Sequence, residues 1–162
     1  MPLKRSRELK PLSSEHHQAL LLAFQLKKGL AGHGESAGAP KDLPGLVALA
    51  RRYEEALLRT HTRAEEELLG RHLDADQLGR LTFEHQELLR LVELARGPRP
   101  ADSRQALQAF AELLERHVRW EEQELFPFLE RQVEEAELVH VLAELEKRLV
   151  LNKLERQAAK RS

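Results

Sequence analysis

Apolar residues in this chain of 162 residues recur at helical spacing in four segments of similar length, which glycine and proline breaks separate. Leu, Ala, Glu, Arg and Gln dominate the sequence, so the intrinsic preferences of the residues agree with the helical period. The length suits one domain. The pattern therefore predicts an all-α protein, built as an antiparallel up-down four-helix bundle with an additional C-terminal helix.

The breaks and capping residues give the predicted boundaries of these helices. Serine or aspartate begins each bundle helix, and glycine ends the first three. The predicted starts are Ser13 or Ser14 for the first helix, Asp42 for the second, Asp74 or Asp76 for the third, and Asp102 for the fourth. At the fourth helix, Gln105 completes a capping box with Asp102. Pro127 is predicted to kink the fourth helix. We divide the chain into an N-terminal segment (1–12), a four-helix bundle (13–131) and a C-terminal helical extension (132–162).

Charge and cysteine content exclude several classes of partner and site. The chain has 26 Lys and Arg against 27 Asp and Glu, and this balance argues against nucleic acid as the main partner. It has no Cys, so any metal site must use nitrogen and oxygen ligands. No long apolar run or secretory signal is present, so we expect no membrane partner and a cytoplasmic location.

Two helices carry the same motif, a histidine followed four places later by a glutamate: His61 with Glu65, and His117 with Glu121. Residues at i and i+4 lie on one face of a helix, and both pairs align with apolar stripes. The spacing alone proves little, because His140 also has Glu144 four places on but lies on a polar face. We interpret His140 as solvated.

The other two bundle helices each add one histidine in line with their apolar stripe. His85 serves this role in the third helix, and in the first helix we prefer His17 to His16, because His17 aligns with Leu20, Leu21 and Phe24. The candidate metal ligands are therefore His17, His61, Glu65, His85, His117 and Glu121.

Buried carboxylates without a positive partner would cost several kcal/mol each. Two metal ions bridged by Glu65 and Glu121 would supply that charge and leave coordination positions open. The alternative is that no metal is bound, and the histidines and glutamates form ordinary ion pairs. Among neighbouring residues, we interpret Glu66, Glu84 and Glu122 as solvated, with ligation or contact to a ligand as alternatives. Of the remaining candidates, His72 is predicted to lie in a turn and His33 in a loop. Trp120 and Tyr53 are predicted to be packing residues.

At these residues the sequence resembles the hemerythrin-like HHE cation-binding family, over approximately residues 12–131. The segments that carry the resemblance are those around His16 and His17, His61 to Glu65, Glu84 to Leu88, and His117 to Pro127. The resemblance implies a left-handed four-helix bundle around an oxo- or hydroxo-bridged pair of non-heme iron ions. It makes Glu65 and Glu121 the bridging carboxylates, and His17, His61, His85 and His117 the terminal ligands.

One departure from the family's pattern narrows the expected function. Oxygen-carrying hemerythrins have a further histidine four places after the first on the third helix, and this chain has Leu89 there. We therefore expect a di-iron protein that binds O2, NO or peroxide at an open iron position in iron, oxidative or nitrosative stress sensing or repair. The alternatives are a di-iron redox enzyme, reducing peroxide or oxidising iron, and a metal-free helical interaction module. The C-terminal helix is the candidate surface for a protein partner or a homodimer.

Overall fold

The computed structural model describes residues 10–161, and all the regular structure in that range is helical. The N-terminal segment predicted for residues 1–12 lies largely outside the described residues. The helices in chain order are α1 (Lys10–Leu30), α2 (Leu43–Tyr53), α3 (Arg59–Leu69), α4 (Ala75–Ala95), α5 (Pro100–Trp120), α6 (Phe126–Gln132) and α7 (Glu135–Arg161). Short 3-10 turns occupy Gly34–Ala37 and Gly70–His72.

Two wide π turns interrupt the second and fourth helices of the predicted bundle, of which the sequence predicts a kink only in the fourth, at Pro127. Glu54–Leu58 joins α2 to α3, and Glu121–Leu125 joins α5 to α6, so each pair of helices forms one continuous rod. The second π turn lies just before Pro127, whose missing N–H cannot support a regular turn. No proline accompanies the first. Such turns are frequent at functional sites, and both lie within one turn of a predicted His/Glu pair.

The capping residues confirm two predicted helix starts and correct two others. The Asp42 side chain accepts a hydrogen bond from the Gly45 N–H at 2.9 Å, and Asp74 forms a full capping box with Gln77. The predicted cap at Asp102 is wrong, because α5 already begins at Pro100, a residue suited to the first turn since its missing N–H needs no partner. The predicted serine cap of α1 is also wrong, because α1 includes Lys10.

The buried apolar residues form two clusters. The first lies between α1, α2, α4 and α5 and includes Leu26, Leu88 and Phe110. The second lies between α3, α4, the end of α5, α6 and α7, and includes Trp120 and Phe126. The inner face of α7 completes the second cluster and packs on α3, with Leu138, Val141, Leu142, Leu145 and Leu149 buried. Among the described residues, no helix is both long and apolar enough to span a membrane.

Candidate metal centre

The first helix turns a different histidine inward from the predicted one. His16 is 2 % exposed, whereas His17 is exposed, so the prediction of His17 as an inward-facing ligand is wrong. The buried stripe of α1 runs through Ala19, Leu22, Ala23 and Leu26, whereas Leu21 and Phe24, two of the residues used for the prediction, are exposed.

Four histidines and two glutamates converge between the two apolar clusters, in two groups that share both glutamates. We call His16 and His61 the first half-site, and His85 and His117 the second half-site. Glu65 and Glu121 are the shared glutamates, and both are 0 % exposed. In each group the candidate ligand atoms lie within 4.8 Å of one another. The fold therefore brings together five of the six predicted residues, with His16 in place of His17.

Each oxygen atom of the shared glutamates lies against the Nε2 atom of a different histidine. The four distances are 2.8 Å from Glu65 Oε1 to His61, 3.3 Å from Glu65 Oε2 to His85, 2.9 Å from Glu121 Oε2 to His16, and 3.0 Å from Glu121 Oε1 to His117. Each carboxylate thus has one oxygen in each half-site. A carboxylate that bridges two metal ions needs this disposition.

A second ring of carboxylates surrounds the histidines on their outer sides. The Nδ1 atom of each histidine faces one further glutamate, and we call these four the outer glutamates: Glu15 to His61 at 2.5 Å, Glu122 to His16 at 3.4 Å, Glu66 to His85 at 2.8 Å, and Glu84 to His117 at 2.6 Å. A carboxylate that accepts from Nδ1–H leaves Nε2 as the free lone pair and fixes the ring orientation.

The outer glutamates correct the prediction that Glu66, Glu84 and Glu122 are merely solvated, since all three contact a histidine of the centre. Glu15 was not a candidate at all, and it reaches His61 across from α1 to α3. One signal in the sequence marks them: each lies directly beside an inward-facing residue, in Glu15-His16, Glu65-Glu66, Glu84-His85 and Glu121-Glu122. Periodicity assigns such neighbours to another face, which is why they read as solvated.

Beyond the second half-site, an arginine and the single tryptophan extend the network. Arg80 Nε donates to Glu84 Oε1 at 3.0 Å, and its guanidinium lies 4.3 Å from the centre of the Trp120 ring. The Trp120 ring in turn lies 5.9 Å from the ring of His117. On the other side, the His16 ring stacks on Phe126 at 5.4 Å. Aromatic packing thus holds one histidine of each half-site.

The inner atoms of the centre need a cation. In the part of the chain whose side chains the structure describes, seven buried atoms lack a well-formed hydrogen bond: both nitrogens of His16, both oxygens of Glu65, Nε2 of His85 and both oxygens of Glu121. Buried polar atoms left in this way are costly. Imidazole nitrogen and carboxylate oxygen suit iron, manganese and zinc. The residues present therefore fit a metal pair.

Electrostatics inside the centre favour positive charge. Burial alone lowers the pKa of His16, but its contacts with Glu121 and Glu122 outweigh burial and raise the pKa to about 9. Burial also lowers the pKa of His117, yet the charge of Glu121 and the bond to Glu84 raise it to about 10. Burial raises the pKa of Glu121, but the neighbouring His117 and His16 bring it well below its usual value. Without metal, protonated histidines balance the shared carboxylates.

A small cavity adjoins both half-sites. Its volume is about 20 Å³, which is enough for one water-sized molecule. Apolar walls from Leu58, Leu88 and Leu114 face the histidines, and Tyr53 also lines the space. Burial and the nearby Glu15, Glu65 and Glu121 raise the pKa of Tyr53, so its hydroxyl keeps its proton.

The remaining histidines lie away from the centre, as the sequence predicts. His140 and His33 are exposed, and His72 lies in the 3-10 turn Gly70–His72, 3.6 Å from Glu137. None of these three belongs to either group of candidate ligands.

Comparison with known proteins agrees with this geometry. The family model of the hemerythrin HHE cation-binding domain matches residues 8–129 and, in a second overlapping match, residues 76–160. Neither the comparison with curated proteins nor that with solved structures finds a match. The first match covers α1 to α5 and the first half of α6, and with them all four histidines and both shared glutamates. The chain belongs to the hemerythrin HHE cation-binding domain family.

Proposed function

We propose that this protein binds two non-heme iron ions, one in each half-site, bridged by Glu65 and Glu121 and by an oxo or hydroxo group. The observation that carries the proposal is that each shared carboxylate directs one oxygen into each half-site. The four Nε2 atoms supply the terminal ligands. His/carboxylate ligands would also accept manganese or zinc, so the choice of iron rests on the family.

The proposed activity is the uptake of one small ligand, O2, NO or peroxide, at an open iron position. The cavity of about 20 Å³ is matched to such a ligand in size, and its leucine walls favour a molecule with little charge. Bound iron would supply the redox chemistry, while the residues of the chain bind, orient and exclude water.

We assign the protein to stress sensing or repair rather than oxygen carriage. Leu89 stands where the oxygen-carrying relatives have a further histidine, and it is half-buried against the first apolar cluster. The second half-site therefore has two histidines, like the first. The predicted role of α7 in binding a partner stays a prediction.

We also propose the antiparallel order of a four-helix bundle for α1, α2 with α3, α4, and α5 with α6. Two contacts support it for the pair α1 and α5. His16 near the start of α1 meets Glu121 beyond the end of α5, and Lys27 near the end of α1 pairs with Glu115 earlier in α5, at 2.5 Å.

Metal analysis of protein reconstituted with ferrous iron under anaerobic conditions tests the function. We expect about two iron ions per chain, as the two-metal arrangement requires, and an absorption change when NO is added. His17→Ala serves as a matched control for His16→Ala, because only His16 lies in the centre. Protein that takes up no iron would contradict the proposal.

A further inference from the structure

A surface groove between α3 and α4 leads to the second half-site. Its volume is about 670 Å³, and its walls include Arg63 and Glu67 at the surface and Thr62, Glu66 and His85 deeper in. Leu89 forms an apolar part of the wall. The groove is open to solvent, whereas the inner cavity of about 20 Å³ lies within the protein.

Two residues separate the groove from the inner cavity. Thr62 and His85 line both spaces, and both are buried, at 5 % and 1 % exposed. The Thr62 hydroxyl donates to the Arg59 carbonyl of its own helix at 3.2 Å, so it does not hold the wall closed across the groove. The His85 ring, fixed by Glu66, is therefore the part whose movement would open the passage.

Glu66 differs from the other outer glutamates in exposure. Its side chain is 36 % exposed, against 10 % for Glu84, 16 % for Glu15 and 22 % for Glu122. A carboxylate that reaches both solvent and His85 Nδ1 can attract a cation before that cation contacts any buried ligand. His85 Nε2 lacks a well-formed hydrogen bond and already faces the interior, where the ion would be bound.

A rival route exists between α1 and α7, and its charges disfavour a cation. That groove, of about 450 Å³, reaches the inner cavity only at Glu15 and is lined by three cations, Lys153, Arg156 and Lys160, against Glu15 and Glu146. The groove between α3 and α4 has two cations, Arg59 and Arg63, and two carboxylates, Glu66 and Glu67. A divalent metal ion meets less repulsion there.

We propose that metal ions enter the centre through the groove between α3 and α4, with Glu66 as the first ligand and the Glu66–His85 pair as the gate. The inference rests on the proposed metal centre and adds the route and the residue of capture. In the entering step Glu66 would release His85 Nδ1 and hold the ion, the His85 ring would swing aside, and on its return Nε2 would bind the ion inside the centre.

The test is the rate at which metal-free protein takes up Co²⁺, followed by stopped-flow quenching of Trp120, the single tryptophan and 5.9 Å from His117. Glu66→Gln keeps an acceptor for His85 Nδ1 but removes the charge. We expect uptake to slow about tenfold, as for the loss of electrostatic steering, with a weaker dependence on salt. Glu146→Gln, the same change in the rival groove, should leave the rate unaltered.

Uptake by Glu66→Gln at the rate of the parent protein would overturn this inference while leaving the metal centre intact. Slower uptake in Glu146→Gln or Glu15→Gln, with Glu66→Gln unaffected, would place the entrance in the rival groove and also overturn it. A parent protein that takes up no Co²⁺ and no iron would overturn the proposed centre itself.

Discussion

The two half-sites are alike on their inner sides and different on their outer sides. Each has two histidines whose Nε2 atoms face one oxygen of each shared glutamate. Outside, the second half-site combines an enclosed glutamate with an open one: Glu84 is held by Arg80, and Glu66 is open to a groove. In the first half-site both outer glutamates are partly exposed, Glu15 at 16 % and Glu122 at 22 %.

The ligand atoms and the outer contacts therefore have separate roles. The inner atoms define what is bound, and their equivalence predicts two metal ions in similar coordination. The outer contacts decide how firmly each ring is held, because a carboxylate on Nδ1 fixes the ring and raises the basicity of Nε2. Differences between the two ions in affinity and exchange should therefore follow the outer glutamates.

Removing a shared carboxylate should have the largest effect, because it acts on both half-sites at once. Glu121→Ala takes one ligand atom from each group, and we expect it to weaken binding of both ions by more than the roughly 10- to 100-fold typical of an outer partner. Iron content after gel filtration measures the effect, and circular dichroism confirms that the variant is folded. Retention of one tightly bound ion would show that the two half-sites do not share Glu121.

Removing one histidine should separate the half-sites. His16→Ala deprives only the first half-site of a ligand, so we expect about one iron ion per chain instead of about two. His17→Ala, at the neighbouring exposed position, should retain both. The same metal content in the two variants would mean that the burial of His16 does not determine which histidine of α1 binds metal.

An outer glutamate should matter less than a histidine, and only on its own side. Glu84→Gln leaves a neutral acceptor for His117 Nδ1, and we expect the second ion to bind about 10- to 100-fold more weakly while the first is unaffected. Competition with a chelator, read from Trp120 fluorescence, gives both affinities. Glu87→Gln is the matched control, since Glu87 lies on the same helix and pairs with Arg90 at the surface. An equal loss of affinity for both ions would show that the two half-sites are not independent.

The sequence predicts the all-α class, the helix boundaries near Asp42 and Asp74, and five of the six central residues, because these depend on local signals. Periodicity failed at His16, because the face of α1 that carries Leu21 and Phe24 is exposed and a neighbouring face is buried. It also failed at the π turn Glu54–Leu58, which no proline marks. The outer contacts, such as Glu15 to His61, join different helices. They depend on how the helices pack against each other, which helical periodicity does not predict.

The pH dependence of the metal-free protein tests both half-sites together. The folded pKa values of His16 and His117, about 9 and about 10, lie above the ordinary 6.5. A raised folded pKa stabilises the fold fully below about pH 6.5, and this contribution is lost as the pH rises through 9 and 10. Urea denaturation of the metal-free protein should therefore give a free energy of unfolding that falls from pH 7 to pH 10.

Iron affinity should rise over the same range, because metal displaces these protons. His16→Gln should flatten the part of the stability curve near pH 9 and His117→Gln the part near pH 10; a parent curve that rises with pH would contradict protonation of the centre.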